Sequence, residues 1–133
     1  MKFIDTNIIL RYLTGDDSQK AKKSEQLFQK TSTGQETLYT STLVIAEVVW
    51  TLEKFYKLRK DQIVACIQKI LNTPHFECDE KDVLMTAIGL YQLKGIDFID
   101  AYNAVIMETK SIDTVYSYDL HFDLIPPLKR IES

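Results

Sequence analysis

The first thirteen residues place an acid between two apolar runs, and this arrangement restricts the fold more than any other stretch. Residues 3–4 are apolar and lead directly into Asp5, and after Thr6 and Asn7 a second apolar run begins at residue 8. The first run is too short for a helix and predicts a buried strand, whereas the second predicts a helix capped by one of the three polar residues. An acid at the carboxyl end of such a strand either binds a ligand or only caps the helix.

The remainder of the chain alternates short β-type runs with longer amphipathic segments. This alternation predicts an α/β fold with a short parallel sheet flanked by helices. A length of 133 residues predicts one domain, 1–133. Further strands are expected near residues 38–40, 76–78, 114–118 and 128–131. Further helices are expected over residues 16–31, 43–58, 61–71, 81–94 and 97–109.

The net charge and the cysteines limit the classes of partner that the protein can bind and the cellular compartment in which it is expected. The formal net charge is −3, which by itself argues against a nucleic-acid partner. If four acids surround cations, however, the remainder carries −3 − (−4) = +1, so a polyanionic substrate is not excluded. Cys66 and Cys78 lack metal-type spacing and predict reduced thiols in a cytoplasmic protein. The longest uncharged run, residues 37–46, is too short to span a bilayer.

Glu47 lies in the most apolar predicted helix. Its helical neighbours are Leu43, Val44 and Trp50, which predicts that it lies on an apolar stripe and not on a solvated face. A buried ionised carboxylate requires a cation, a hydrogen-bond network or a raised pKa. A functional carboxylate is therefore the preferred interpretation, and the alternatives are a distant salt bridge or a hydrated helix end.

Two further acids, Asp97 and Asp100, are three residues apart at the start of the last predicted helix and face the same way. Asp97 as N-cap and Asp100 in the first turn resemble a capping box, which is sufficient to explain Asp97. Asp100 is the stronger functional candidate, because Ala101 and Ala104 beside it permit close approach. Asn103, one turn later, could hydrogen-bond to Asp100 or to a metal-bound water.

Asp119 repeats the arrangement of Asp5, since it follows a short β-type run, and Ser117 lies two residues before it. His121 is interpreted as a surface or capping residue. If the strands are parallel, the acids emerge at one edge of the sheet and would repel one another unless hard divalent cations bind there. Such a Mg²⁺ or Mn²⁺ site is suited to metal-assisted phosphodiester hydrolysis. The four acids with an independent reason to converge are Asp5, Glu47, Asp100 and Asp119.

The pattern resembles the PIN-domain ribonucleases, specifically the short VapC-like toxins of VapBC toxin–antitoxin pairs. The matching pieces run the length of the chain, and Ser117 stands where that family usually has threonine. They are residues 3–7, Glu47 in the central helix, Asp100-Ala101, and Ser117-Tyr118-Asp119 with Phe122.

The resemblance implies a PIN-like three-layer sandwich with a parallel sheet of four to five strands. It also implies a Mg²⁺- or Mn²⁺-dependent endoribonuclease that forms a homodimer and is inhibited by a small antitoxin. The same four acids would be its catalytic and metal-binding set, with Asp5 and Asp100 as the principal ligands. Other candidates are less direct: Thr6 and Asn7 beside the ligands, Asp97 as a second acid of the late helix, and Arg11 as a phosphate contact or a salt-bridge residue.

Two other functions remain compatible with the sequence. One is a PIN nuclease of RNA maturation or decay that has the same site without toxicity. The other is a catalytically silent PIN-like module that binds RNA or protein. The four acids argue against the silent module, because a binding module does not require a carboxylate on the apolar stripe of Glu47.

Overall fold

Six α-helices and five short strands alternate along the chain, so the predicted α/β class is confirmed. The computed structural model describes all residues from 1 to 133, which separate into two compact units, 1–81 and 82–133. The strands are β1 (Lys2–Phe3), β2 (Leu38–Thr40), β3 (Phe76–Cys78), β4 (Thr114–Tyr116) and β5 (Lys129–Ile131). The helices are α1 (Thr6–Thr14), α2 (Ser18–Ser32), α3 (Thr42–Lys54), α4 (Lys60–Leu71), α5 (Lys81–Lys94) and α6 (Phe98–Thr109).

The first unit contains a parallel sheet in the order β1-β2-β3. Lys2 is in register with Leu38, and Leu38 with Phe76. Helices α1 and α2 connect β1 to β2, and α3 and α4 connect β2 to β3. Parallel strands require such crossovers, because a tight hairpin can join only antiparallel neighbours. All three strands therefore end at the same edge of the sheet.

Side-chain caps fix where the helices of this unit begin. Asp5 is the N-cap of α1, and its carboxylate accepts a hydrogen bond from the backbone N–H of Thr6 at 2.7 Å. Asp17 and Ser41 cap α2 and α3 by accepting from the backbone N–H three residues further on, at Lys20 and Val44. Gly15, with φ of 66°, ends α1 in the left-handed region that glycine adopts without steric cost. Of the three cap candidates in the sequence, the structure selects Asp5.

The core of the first unit is built from the inward faces of its helices and from β3. An aromatic stack crosses it: the ring of Phe28 lies 4.1 Å from that of Tyr12 and 6.1 Å from that of Phe76. Phe28 and Phe76 are buried, and Tyr12 is half-buried. Fully buried aliphatic side chains complete the core: Ile9, Ile45, Leu52, Ile63, Ile67 and Ile70.

The second unit consists of α5, α6, the parallel pair β4-β5 and a short 3₁₀ helix, Leu120–Leu124. A small apolar cluster holds it together. The predicted β-type run at 114–118 ends earlier than expected, since β4 stops at Tyr116. The cluster combines the buried residues Ala104, Met107 and Phe122 with the half-buried Leu90, Val115, Ile125 and Leu128.

Two further findings concern the chain as a whole. None of the helices has the combination of length and apolar character that crossing a bilayer requires. The thiols of Cys66 and Cys78 are free and half-buried. Burial raises the pKa of both thiols, and that of Cys78 reaches about 11. Both side chains are therefore poor nucleophiles, because the reactive species is the thiolate.

Candidate active site

The start of α1 is tied to α3 through side chains that the sequence singled out. Asp5 is exposed, and its Oδ1 accepts the capping bond while Oδ2 accepts no hydrogen bond within the chain. Thr6 is only 5% exposed and donates its hydroxyl hydrogen bond to Oε1 of Glu47. The structure therefore links Glu47 to the residue that follows Asp5, although the two acids are 42 positions apart in the chain.

Glu47 lies on the apolar face of α3 that the sequence predicted, but that face is not buried. Glu47 is exposed, and its neighbours Leu43 and Trp50 are 81% and 61% exposed. The prediction that Glu47 avoids a solvated face is therefore wrong. The physical reason is that α3 is apolar on all sides and buries the opposite face, which consists of Ile45, Val48, Val49 and Leu52.

Acids of the second unit surround a single imidazole. Nδ1 of His121 lies 2.8 Å from Oδ2 of Asp100, 3.2 Å from Oδ1 of Asp119 and 4.0 Å from Oδ2 of Asp97. Asp100 is the least exposed of these acids, and Asp97 is the most exposed. The structure therefore brings the predicted candidates of this unit together around His121, which the sequence analysis interpreted as a surface or capping residue.

Local backbone features hold Asp119 and His121 in place. Asp119 caps the 3₁₀ helix, because its Oδ1 accepts from the backbone N–H of His121 at 2.9 Å. Oγ of Ser117 accepts from the backbone N–H of Asp119, also at 2.9 Å. Asp97 occupies the N-cap position of α6 but its side chain makes no capping bond, and the carboxylate of Asp100 contacts His121 instead. Asp97 and Asp100 therefore do not form the capping box that their spacing resembles.

The ionisation of this cluster reflects its crowding. The pKa of Asp100 is raised, first by burial and then by the nearby Asp119 carboxylate, although His121 acts in the opposite direction. The pKa of Asp119 is lowered, mainly because the backbone N–H of His121 donates to it. The pKa values of these two neighbouring carboxylates therefore move apart, and Asp100 is the more readily protonated of the pair.

The donor set fits a divalent cation. Asp97, Asp100 and His121 each offer one ligand atom, and these atoms lie within 4.8 Å of one another. Carboxylate oxygens are the preferred ligands of Mg²⁺ and Mn²⁺, and imidazole is a common ligand of softer divalent metals. A cation at this position would also offset the burial and the carboxylate repulsion that together raise the pKa of Asp100.

The other predicted residues lie around these groups. Asn103 lines a shallow depression together with Asp100, Ser117 and Asp119. Arg11 donates to Oδ1 of Asp16 at 2.8 Å, which is the salt bridge considered as its alternative role. Asn7 and Arg11 both line a cleft between α1 and α2.

Sequence reasoning missed His121 as a member of the acidic cluster. The available signal was the position of His121 two residues after Asp119. Because Asp119 caps the 3₁₀ helix by accepting from the backbone N–H of His121, this spacing brings the two residues into contact. A lone histidine in a loop carries little information, because its partner Asp100 is 21 positions away.

The contact between His121 and Asp100 predicts a measurable titration. The hydrogen bond to Asp100 raises the pKa of His121. Its stabilising contribution is therefore complete below about pH 6.5, the value in an unfolded chain, and is lost as the pH rises through the higher folded value. A proton NMR titration of the metal-free protein is expected to give His121 a pKa above 6.5, and Asp100→Asn is expected to lower it.

His75 is the only other histidine, so the His121→Gln variant assigns the two imidazole signals. An unchanged His121 titration in Asp100→Asn would show that the carboxylate does not interact with the imidazole in solution.

The chain is similar to known proteins over most of its length. The family model of the PIN domain matches residues 2–126. The chain is 32% identical over 122 residues to a VapC ribonuclease of Aquifex aeolicus (strain VF5), which covers 92% of this chain and 90% of the relative. Among solved structures, the sarcin-ricin loop cleaving toxin VapC20 of Mycobacterium tuberculosis has a TM-score of 0.44 at 19% identity, with 90% of each chain covered. VapBC2 of Rickettsia felis, bound to a DNA fragment from its promoter, has a TM-score of 0.38 at 18% identity and covers 98% and 97%.

Proposed function

Because the chain belongs to the PIN-domain family, we propose that it is a Mg²⁺- or Mn²⁺-dependent endoribonuclease and the toxin of a toxin–antitoxin pair. The observation that carries the proposal is the crowded cluster around His121, in which Asp97, Asp100 and His121 offer donors that fit a divalent cation and Asp119 lies 3.2 Å from the imidazole. The full-length similarity to a VapC ribonuclease supports RNA as the substrate. The membership alone would not distinguish a nuclease from a silent binding module, whereas an intact acidic cluster favours catalysis.

In this proposal Asp5, Glu47, Asp100 and Asp119 hold the metal, and Asp5 and Asp100 are its principal ligands. Asp97 is a further acid of the α6 start. When bound, the metal supplies an activated water and stabilises the leaving oxygen of the phosphodiester. Oδ2 of the exposed Asp5 is available for this role, since the cap uses only Oδ1.

Neighbouring residues keep the acids in position. Thr6 fixes the carboxylate of Glu47 through its buried hydroxyl, and Ser117 fixes the backbone of Asp119. Asn103 lies beside Asp100 and Asp119, where its amide can hydrogen-bond to substrate or water. Serine preserves the hydroxyl that the family usually supplies from threonine, so the departure at residue 117 is compatible with activity.

We further propose that the protein is a cytoplasmic homodimer that a small antitoxin inhibits, as its resemblance to the VapC-like toxins implies. Growth arrest on expression, relieved by a co-expressed antitoxin, would distinguish a toxin from a nuclease of RNA maturation. Absence of growth arrest together with retained cleavage would favour the maturation role.

The direct test is removal of the metal. The purified protein is expected to cleave single-stranded RNA internally in Mg²⁺ or Mn²⁺, to lose activity in EDTA, and to recover it when either ion is returned in excess. The physical reason is that uncompensated carboxylates repel a phosphodiester, whereas a bound cation attracts it. Cleavage that persists in EDTA would contradict the proposal.

A further inference from the structure

A cleft between α1 and α2 lies outside the acidic groups. Its volume is about 330 Å³. Both walls are helical, and the cleft lies within the first unit. The lining residues are Asn7, Ile8 and Arg11 from α1 and Lys20, Lys23 and Ser24 from α2.

The lysine ammonium groups that face this cleft have no acidic partners. Lys20 and Lys23 are three residues apart on α2, so their side chains project from the same face. Neither ammonium group lies within 4.0 Å of an acid, whereas Lys2, for comparison, pairs with Glu36 at 2.9 Å. Two cations without anionic partners face an open cleft, and they outnumber the single charge that Asp16 and Asp17 leave after Arg11 is counted against them.

Arg11 adds a third positive group to the same wall, but Asp16 already neutralises part of its charge at 2.8 Å. That pair holds the guanidinium in a fixed orientation. Ile8, 40% exposed, contributes an apolar surface between the cationic groups. The cleft thus combines mobile point charges, a fixed guanidinium and a small apolar surface, which is the chemistry that a sugar–phosphate backbone requires.

The cleft also begins close to a candidate metal ligand. Asn7 is the second residue of α1, and Asp5 is the N-cap of that helix. Asn7 and Arg11 are one helical turn apart, a rise of about 5.4–6 Å along the axis. The cationic cleft therefore extends from the end of α1 at which Asp5 lies.

We propose that this α1–α2 cleft binds a backbone phosphate of the RNA substrate, adjacent to the bond that is cleaved. Lys20 and Lys23 neutralise the phosphate, and Asn7 and Arg11 orient it by hydrogen bonds. This inference rests on the proposed function for the identity of the substrate. A chain of net charge −3 can attract a polyanion in this way, because positive groups are concentrated beside the start of α1.

The test compares two double variants that have equal net charge. Lys20→Gln/Lys23→Gln removes the free cations of the cleft, whereas Lys22→Gln/Lys30→Gln removes two exposed lysines of α2 that do not line it. Lysine and glutamine have similar helix propensity, so both variants are expected to fold. Binding of a fluorescently labelled single-stranded RNA of about 20 nucleotides is measured by anisotropy in EDTA, at several salt concentrations.

The cleft variant is expected to weaken binding about 10-fold relative to the control variant, and to reduce the slope of log K against log salt by about 0.7, which is the contribution of one phosphate contact on a single strand. In the presence of metal, the KM for cleavage is expected to rise while kcat remains unchanged. Equal affinity and equal slope in the two double variants would overturn the inference.

Two outcomes separate this inference from the proposed function. If RNA is cleaved but the cleft variant binds like the control, the cleft proposal fails and the nuclease assignment stands. If the cleft variant loses binding while wild-type protein cleaves nothing in any metal, the nuclease assignment fails and the cleft remains an RNA-binding site. An acidic peptide is the competing occupant: loss of poly-glutamate binding with retained RNA affinity in the cleft variant would assign the cleft to such a peptide and overturn the RNA proposal.

Discussion

Replacing Asp100 with asparagine is expected to reduce metal-dependent RNA cleavage at least 100-fold, a loss of about 2.7 kcal/mol or more of transition-state stabilisation. The amide has nearly the shape of the carboxylate but cannot neutralise a cation. Burial already disfavours the ionised form of Asp100, which is why its pKa is raised, so a neutral side chain is tolerated at this position. The fold is therefore expected to survive, with an unchanged circular dichroism spectrum.

A second readout does not depend on activity. Mn²⁺ is expected to raise the unfolding temperature of the wild-type protein and to have little effect on Asp100→Asn, because a ligand stabilises only the state that binds it. Asp113→Asn is the matched control, since Asp113 is exposed in the same unit and its carboxylate accepts only from the neighbouring Thr114 hydroxyl, while its backbone carbonyl, which the variant keeps, accepts from Lys129. Equal cleavage and equal Mn²⁺ stabilisation in the two variants would contradict the role of Asp100 as a metal ligand.

Truncation of Phe28 to alanine is expected to lower the free energy of unfolding by about 3–5 kcal/mol, the range for removing a buried aromatic side chain. Phe28 is 2% exposed and stacks between Tyr12 and Phe76, so its loss opens a cavity where α1, α2 and β3 meet. Natural domains have only about 5–15 kcal/mol of stability, so the loss is a large fraction of the whole. Urea unfolding followed by Trp50 fluorescence measures the change in the same unit.

Two comparison variants separate packing from simple loss of an aromatic ring. Phe28→Leu retains most of the apolar volume and is expected to cost less than the alanine variant. Phe55→Ala removes a ring that is 73% exposed, and its effect is expected to stay within about 0.5 kcal/mol. A Phe28→Ala variant as stable as Phe55→Ala would show that the aromatic stack does not support the core.

Much of the fold was predictable from local signals. The apolar pair before Asp5 and the polar residues after it predicted a strand followed by the start of α1, because caps and short apolar runs act over a few residues. The prediction that this strand is buried is wrong, since β1 consists of the exposed Lys2 and Phe3 and only Ile4 after it is buried. The stop of α4 at Asn72, before Pro74, was predictable for the same reason. Glu47 shows the limit of such reasoning, because an apolar stripe indicates a face but not whether another element covers it.

The sequence by itself determined the α/β class, the approximate bounds of the helices and the acids worth testing, since periodicity, capping residues and charge are properties of neighbouring positions. Only the tertiary structure decided which side chains meet. The hydroxyl of Thr6 contacts Glu47 across 41 positions, and the imidazole of His121 contacts Asp100 across 21. Such contacts depend on how crossovers and caps bring separate elements together. A pattern among neighbouring residues does not encode which residues, far apart in the chain, will meet. For the same reason Asp5 is resolved as a helix cap with one free carboxylate oxygen, which leaves it able to serve as a ligand as well.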